Sequence, residues 1–193
     1  MNNPKYIILD RDGVINLDSP NYIKSADEWN PISKSLDAIK KLTENEYQII
    51  IISNQSGLGR GIISYNDFIE INLKMLNQIS RAGGSILAVL YCPSLPTDGC
   101  LNRKPETGMF SEIAGRLNIS LDGCFSIGDS PRDIDASLSS KCKPIGLRTG
   151  NGKNIENNSK YNIPMFNDLN DAVDYVIKPV SYTHLRAHET SID

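Results

Sequence analysis

Four consecutive isoleucines, Ile49–Ile52, lie within the segment Tyr47–Ile52. Successive side chains of a strand point to opposite faces. A run that is apolar at every position therefore belongs to a strand covered on both sides, as in the middle of a parallel sheet. The neighbouring segments alternate in the way such a sheet needs. Lys5–Leu9 reads as the first strand. Ser33–Asn45 follows, with Leu36, Ile39 and Leu42 at helical spacing. After the isoleucine run, Ser64 opens a helix with Asp67 three residues on as a weak capping box. Phe68, Ile71, Met75 and Ile79 mark the buried face of that helix. Ser85–Tyr91, Cys124–Ile127 and Lys143–Leu147 read as three more strands. Between and after them come helices from Thr107, as cap, to about Leu117, from Pro131 to Ser139, and from Leu169 to Ile177. Strict alternation predicts an α/β fold: a three-layer, Rossmann-like parallel sheet with helices on both faces.

The chain of 193 residues is long enough for one domain with a sizeable core. Residues 1–178 are read as a single domain. Its 39% hydrophobic and 22% charged content is ordinary for a globular protein, and its net charge of −3 implies no global attraction to nucleic acid or membrane. No apolar run reaches membrane-spanning length, and Lys5–Leu9 is too short for a signal-peptide core. The expected location is the cytoplasm, and the expected state is a monomer, because core assignment leaves no long exposed apolar stripe. Four cysteines, at 92, 100, 124 and 142, then argue against a disulfide scaffold. Cys124 and Cys142 read as small core residues. Gly150–Asn162 reads as a mobile loop. Residues 179–193 break the pattern and carry both histidines, His184 and His188; they read as a flexible tail or as a sequence foreign to the domain.

Four strand ends carry polar groups. The first gives Asp10 and Asp12, two residues apart, followed by Gly13. By itself Asp-x-Asp-Gly also fits an acidic turn. The second gives Ser53, Asn54, Gln55, Ser56 and Gly57. The loop after the third ends in Arg103-Lys104-Pro105, and the fourth gives Asp129, Ser130 and then Asp133. In open parallel sheets ligands bind at the carboxyl ends of the strands. Acids, a hydroxyl, amides and two cations on one such rim supply what phosphoryl transfer needs: a nucleophile, a metal site and positive charge where negative charge builds up.

These four motifs, in this order across Lys5 to Arg148, resemble the haloacid dehalogenase-like phosphohydrolases. Finer texture is similar to their heptose 1,7-bisphosphate phosphatase and histidinol-phosphatase branch: Asp10–Asn16, Tyr22–Ser25, Asp27–Trp29, Asn54–Gly57 with Arg60-Gly61, Tyr91–Pro93 and Arg103–Pro105. The resemblance implies a Mg²⁺-dependent phosphatase of a small phosphorylated sugar. In this reading Asp10 is the nucleophile, Asp12 the general acid and base, and Ser53 and Lys104 hold the transferring phosphoryl group. Asp10, the backbone carbonyl of Asp12, and Asp129 hold Mg²⁺. Asn54, Gln55 and Arg103 contact substrate; Arg60 either helps bind the distal phosphate or is a solvated loop arginine. Asp133 orients Lys104 or a metal-bound water. The loop Asp18–Tyr22 covers the site in place of a large cap domain. Histidinol phosphate or another small phosphomonoester is the alternative substrate, and a catalytically silent binding module is a third reading.

Relatives in this branch carry a structural zinc after the third strand, on a Cys-x-His and a Cys-x-Cys pair. Here Cys92 and Cys100 remain, but Ser94 and Asn102 stand where His and Cys would be. Structural zinc takes four Cys or His ligands, so no tight zinc site is expected. A Cys92–Cys100 disulfide is the alternative clip, one that a reducing cytosol disfavours.

Overall fold

The computed structural model describes residues 5–178. Its elements run β1 (Lys5–Leu9), α1 (Ser35–Glu44), β2 (Tyr47–Asn54), α2 (Ser56–Gly59), α3 (Tyr65–Arg81), β3 (Ala88–Cys92), α4 (Gly108–Leu117), β4 (Phe125–Gly128), α5 (Pro131–Ser139), β5 (Lys143–Leu147), α6 (Lys153–Glu156), β6 (Met165–Phe166) and α7 (Leu169–Val176). All strand pairs are parallel, in the order β3-β2-β1-β4-β5-β6. The expected layered α/β architecture is present. The tail of residues 179–193 lies outside the described residues.

The central strands alternate their loyalties. Ile7, Leu9, Ile49 and Ile51 join one core with α1, α3 and α7. Ile8, Ile50 and Ile52 join a second core on the opposite face, with Met109, Phe110 and Ile113 of α4 and Ala136 of α5. This two-sided packing is why the sequence is apolar at every position there. The order of strands reverses direction between β1 and β4, and the polar carboxyl ends of β1, β2 and β4 meet at that point.

Several local expectations change. Thr107 occupies the N-cap position of α4 but makes no side-chain cap bond. Ser64 does cap α3, accepting the Asp67 N–H at 3.1 Å. β3 starts at Ala88 rather than Ser85, whose N–H is instead taken by Thr43 Oγ1 at 3.0 Å. The two-residue β6 is too short to show any alternation in sequence. The stretch read as the mobile loop Gly150–Asn162 contains α6, whose Ile155 is buried in the structure. The reason for expecting a monomer also fails. Tyr65, Ile69 and Leu73, one helical turn apart, leave an apolar stripe exposed along α3, and Ile62, just before the helix, is exposed as well.

Candidate functional site

Asp10 and Lys104 form the floor of the site. Both are almost wholly buried. The Lys104 ammonium donates to Ile52 O at 2.7 Å and forms ion pairs with Asp10 Oδ1 at 2.9 Å and Asp133 Oδ1 at 2.7 Å. Burial alone would lower the Lys104 pKa, but the Asp10 and Asp133 charges outweigh it and raise it. Asp133 fixes the start of α5 as well: its Oδ2 accepts the Ser130 N–H at 3.0 Å and the Ser130 hydroxyl. Burial would raise Asp133, but Lys104, Ser130 and Arg132 together lower it. Lys104, one of its two expected partners, is thus paired with Asp133.

Asp12 is gripped from three sides. Arg11 donates to it in a fork, Nε to Oδ1 at 3.1 Å and Nη2 to Oδ2 at 3.0 Å. Asn16 Nδ2 and Gln55 Nε2 each donate at 2.8 Å. Burial pushes the Asp12 carboxyl up, but Arg11 and these bonds outweigh it and leave it below the ordinary carboxylate range. Gln55 also donates to Ser53 Oγ at 2.8 Å and accepts from Arg11 Nη2 at 3.0 Å. Its amide ties the second acid to the hydroxyl. The Asn54 amide is likewise committed, donating to Lys104 O at 2.9 Å and accepting the Lys104 N–H at 3.0 Å. Both amides border the cleft, yet their polar atoms hold other site residues.

Asp129 sits in a narrow cradle. Gly13 and Gly150 both have positive φ, and a Cβ on either would overlap the Asp129 carboxylate. That close approach, more than the sharp turn, is what requires glycine at position 13. Asp129 Oδ2 accepts the Asn151 N–H at 2.8 Å, while its buried Oδ1 has no partner among the described residues. Burial, then Asp10 and Asp133, push the Asp129 pKa up to about 8. Burial, opposed by Lys104 and aided by Asp133 and Asp12, pushes Asp10 up to about 6. Carboxylate oxygens of Asp10, Asp129 and Asp133 lie within 4.8 Å of one another. Crowded, dry carboxylates with an orphaned oxygen suit a hard divalent cation with oxygen ligands.

Above this floor lies a cleft of about 240 Å³, bordered by Asp18, Pro20, Tyr22 and Arg103. Tyr22 holds a left-handed backbone, φ 64°. Arg103 Nη1 is anchored to Ser94 O at 2.8 Å. Arg60 is exposed and does not border the cleft, which fits the solvated-loop reading of this residue rather than a contact with substrate there. Arg132 does border it and was not anticipated. Burial, then the nearby Arg132 and Arg60 charges, lower the Arg103 pKa. Among the described residues none of these three arginines forms an ion pair.

Sequence reasoning also passed over Arg11, Asn16 and Asn151. Arg11 stands between the two acids in sequence, which is the signal that could have found it. Asn151 had none, because its contact spans from the end of β5 to the end of β4.

Known proteins resemble this arrangement. The family model described as polynucleotide kinase 3 phosphatase matches residues 5–144. The D-glycero-beta-D-manno-heptose-1,7-bisphosphate 7-phosphatase of Bordetella bronchiseptica is 43% identical over 149 residues, 77% of this chain and 83% of that protein. The protein of the same name from Neisseria meningitidis is 38% identical over 178 residues, 90% and 95% of the two chains. A crystal structure of D,D-heptose 1,7-bisphosphate phosphatase from B. bronchiseptica, complexed with magnesium and phosphate, superposes with a TM-score of 0.86. It is 38% identical, over 90% of this chain and 98% of that one.

Proposed function

The chain belongs to the polynucleotide kinase 3 phosphatase family of haloacid dehalogenase-like phosphatases, and on that premise we propose that it removes the 7-phosphate of D-glycero-D-manno-heptose 1,7-bisphosphate. One observation carries the reading: a buried carboxylate–lysine floor lies beneath a cleft lined by Arg103 and Arg132, which have no ion-pair partner among the described residues. The floor suits the phosphoryl group that is transferred, and the lip suits a second anionic group on the same small molecule. The likeness to heptose bisphosphate phosphatases over most of both chains supports it.

The residues divide the work. An Asp10 carboxylate oxygen attacks phosphorus, the bond from phosphorus to the sugar oxygen breaks, and Asp12 protonates that oxygen. Water then attacks the aspartyl-phosphate, Asp12 takes its proton, and Asp10 and inorganic phosphate are released. The grip of Arg11, Asn16 and Gln55 keeps Asp12 a carboxylate, the form needed for the second step. Arrival of the dianionic phosphate favours the protonated form needed for the first. Lys104 and Ser53 stabilise the transferring oxygens. Asp10, Asp129 and the Asp12 carbonyl would hold Mg²⁺, which when bound adds positive charge beside those oxygens. Among the described residues no helix is long and apolar enough to cross a membrane. The proposal places the enzyme in the cytoplasm, acting on a small phosphorylated sugar.

The test is phosphate release with Mg²⁺ across both anomers of heptose 1,7-bisphosphate, histidinol phosphate, fructose 1,6-bisphosphate and a 3′-phosphorylated oligonucleotide. Asp10→Asn serves as the blank. The proposal expects one heptose anomer to lead in kcat/KM by about 100-fold, the selectivity that two well-made charged contacts supply. Preference for histidinol phosphate or the oligonucleotide would overturn it.

A further inference from the structure

The segment from Cys92 to Cys100 links β3 to Arg103. Cys92 ends β3 and is 1% exposed, while Cys100 is partly exposed. Their sulfurs lie 3.8 Å apart. A disulfide bond is about 2.05 Å long, so closure needs an approach of roughly 1.7 Å. The connecting chain can supply it. Residues 96–99 are all exposed, and Gly99 has a left-handed backbone with open space around it. Zinc does not fit here. Ser94 and Asn102 are poor ligands, and among the described residues the only three-member set of His, Cys, Asp or Glu placed to share a metal is Asp10, Asp129 and Asp133.

Both cysteines are one backbone hydrogen bond away from the cleft. Cys92 O accepts the Gln55 N–H at 2.7 Å, and Cys100 O accepts the Arg103 N–H at 3.0 Å. Arg103 is tied a second time to the same segment through Ser94 O. Lys104, by contrast, is held by Asp10, Asp133, Ile52 and Asn54, none of which belongs to the segment. Drawing Cys100 toward Cys92 therefore displaces Arg103 and spares the floor.

We propose that Cys92 and Cys100 are a redox-active pair, and that their oxidation to a disulfide by a peroxide weakens the hold of Arg103 on substrate. The more exposed Cys100 sulfur attacks one oxygen of hydrogen peroxide; the O–O bond breaks, one water leaves, and a sulfenic acid forms. The Cys92 sulfur displaces the sulfenic oxygen as a second water, and the S–S bond closes. Two thiol protons and two electrons pass to the peroxide. A dithiol reductant reverses the bond by exchange. Disulfides of this kind in reducing compartments are transient and redox-sensing.

The experiment treats the full chain with hydrogen peroxide, alkylates free thiols, maps cross-linked peptides, and measures KM and kcat on heptose 1,7-bisphosphate before and after dithiothreitol. The expected result is a Cys92–Cys100 cross-link with KM raised roughly tenfold, as displacements near 1 Å readily cause. kcat should stay within about twofold, since the floor keeps its bonds. Dithiothreitol restores KM. Cys100→Ser and Cys92→Ser keep reduced-state activity and abolish the response, while Cys124→Ser keeps it. The proposal is overturned if no such cross-link forms, or if it forms and leaves KM unchanged. Cross-link mapping needs no substrate, so its failure is a separate result from a failure of the substrate assignment.

Discussion

The floor and the lip of the cleft carry the same kind of charge in opposite conditions. Lys104 on the floor is almost wholly buried, bonded to Ile52 O and paired with the Asp10 and Asp133 carboxylates. On the lip, Arg103 has one bond to a backbone carbonyl, and Arg132 is exposed with no ion pair among the described residues. A buried charge must be paired, because leaving it alone costs several kcal/mol, of order 3–5 when one partner is removed. An exposed guanidinium can wait for a ligand at little cost. The floor is thus fixed in advance for phosphoryl transfer, and the lip is left free to recognise what the phosphoryl group is attached to.

The comparison breaks most visibly at Lys104. Lys104→Met keeps the volume and removes the charge between two acids. Steady-state kinetics should show kcat down by about 10²–10³, the usual loss for one preorganised stabilising group. The protein should also lose thermal stability at neutral pH and recover part of it in acid, where Asp10 and Asp133 can protonate. Full activity in this variant would mean that the floor is not where the charge is handled.

A smaller effect sharpens the picture of Asp10 and Asp129. Their pKa values are raised in the fold, to about 6 and about 8. Groups raised in this way favour the fold fully below their unfolded values, and that contribution is lost as pH climbs through the folded ones. Protein without metal should therefore lose stability from about pH 4 to about pH 8. A divalent cation that binds the ionised pair restores it. Thermal melts with Mg²⁺ against a chelator should show a gap in Tm that widens over that window. A gap independent of pH would disconnect the cation from these two carboxylates.

Much of this was legible because the strands are buried on both faces. Apolar runs at Ile7–Leu9 and Ile49–Ile52 declare themselves, and the acids and amides that end them fall on one rim by topology alone. The same logic brought Asp10, Asp12, Ser53, Lys104, Asp129 and Asp133 to one place. Features built by contacts distant in sequence were not legible. Gly150 and Asn151 close on Asp129 from a segment that reads locally as a polar loop, and β6 is only two residues long. In sequence the amides of Asn54 and Gln55 read as substrate contacts, because sequence shows a polar group at a rim and not which neighbour it already serves. The exposed stripe on α3 escaped notice for a related reason: Tyr65, Ile69 and Leu73 sit beside the buried Phe68, Ile71 and Met75, so the helix is apolar on more than one face.

The division between floor and lip is tested most directly with Arg103→Ala and two substrates that differ by one phosphate, heptose 1,7-bisphosphate and heptose 7-phosphate. Loss of a charged hydrogen-bonding partner should raise KM for the bisphosphate by about 10–100-fold and leave that for the monophosphate nearly unchanged, with kcat preserved on both. Equal losses on the two substrates, or a fall in kcat with KM unmoved, would place Arg103 in the chemistry and contradict the account.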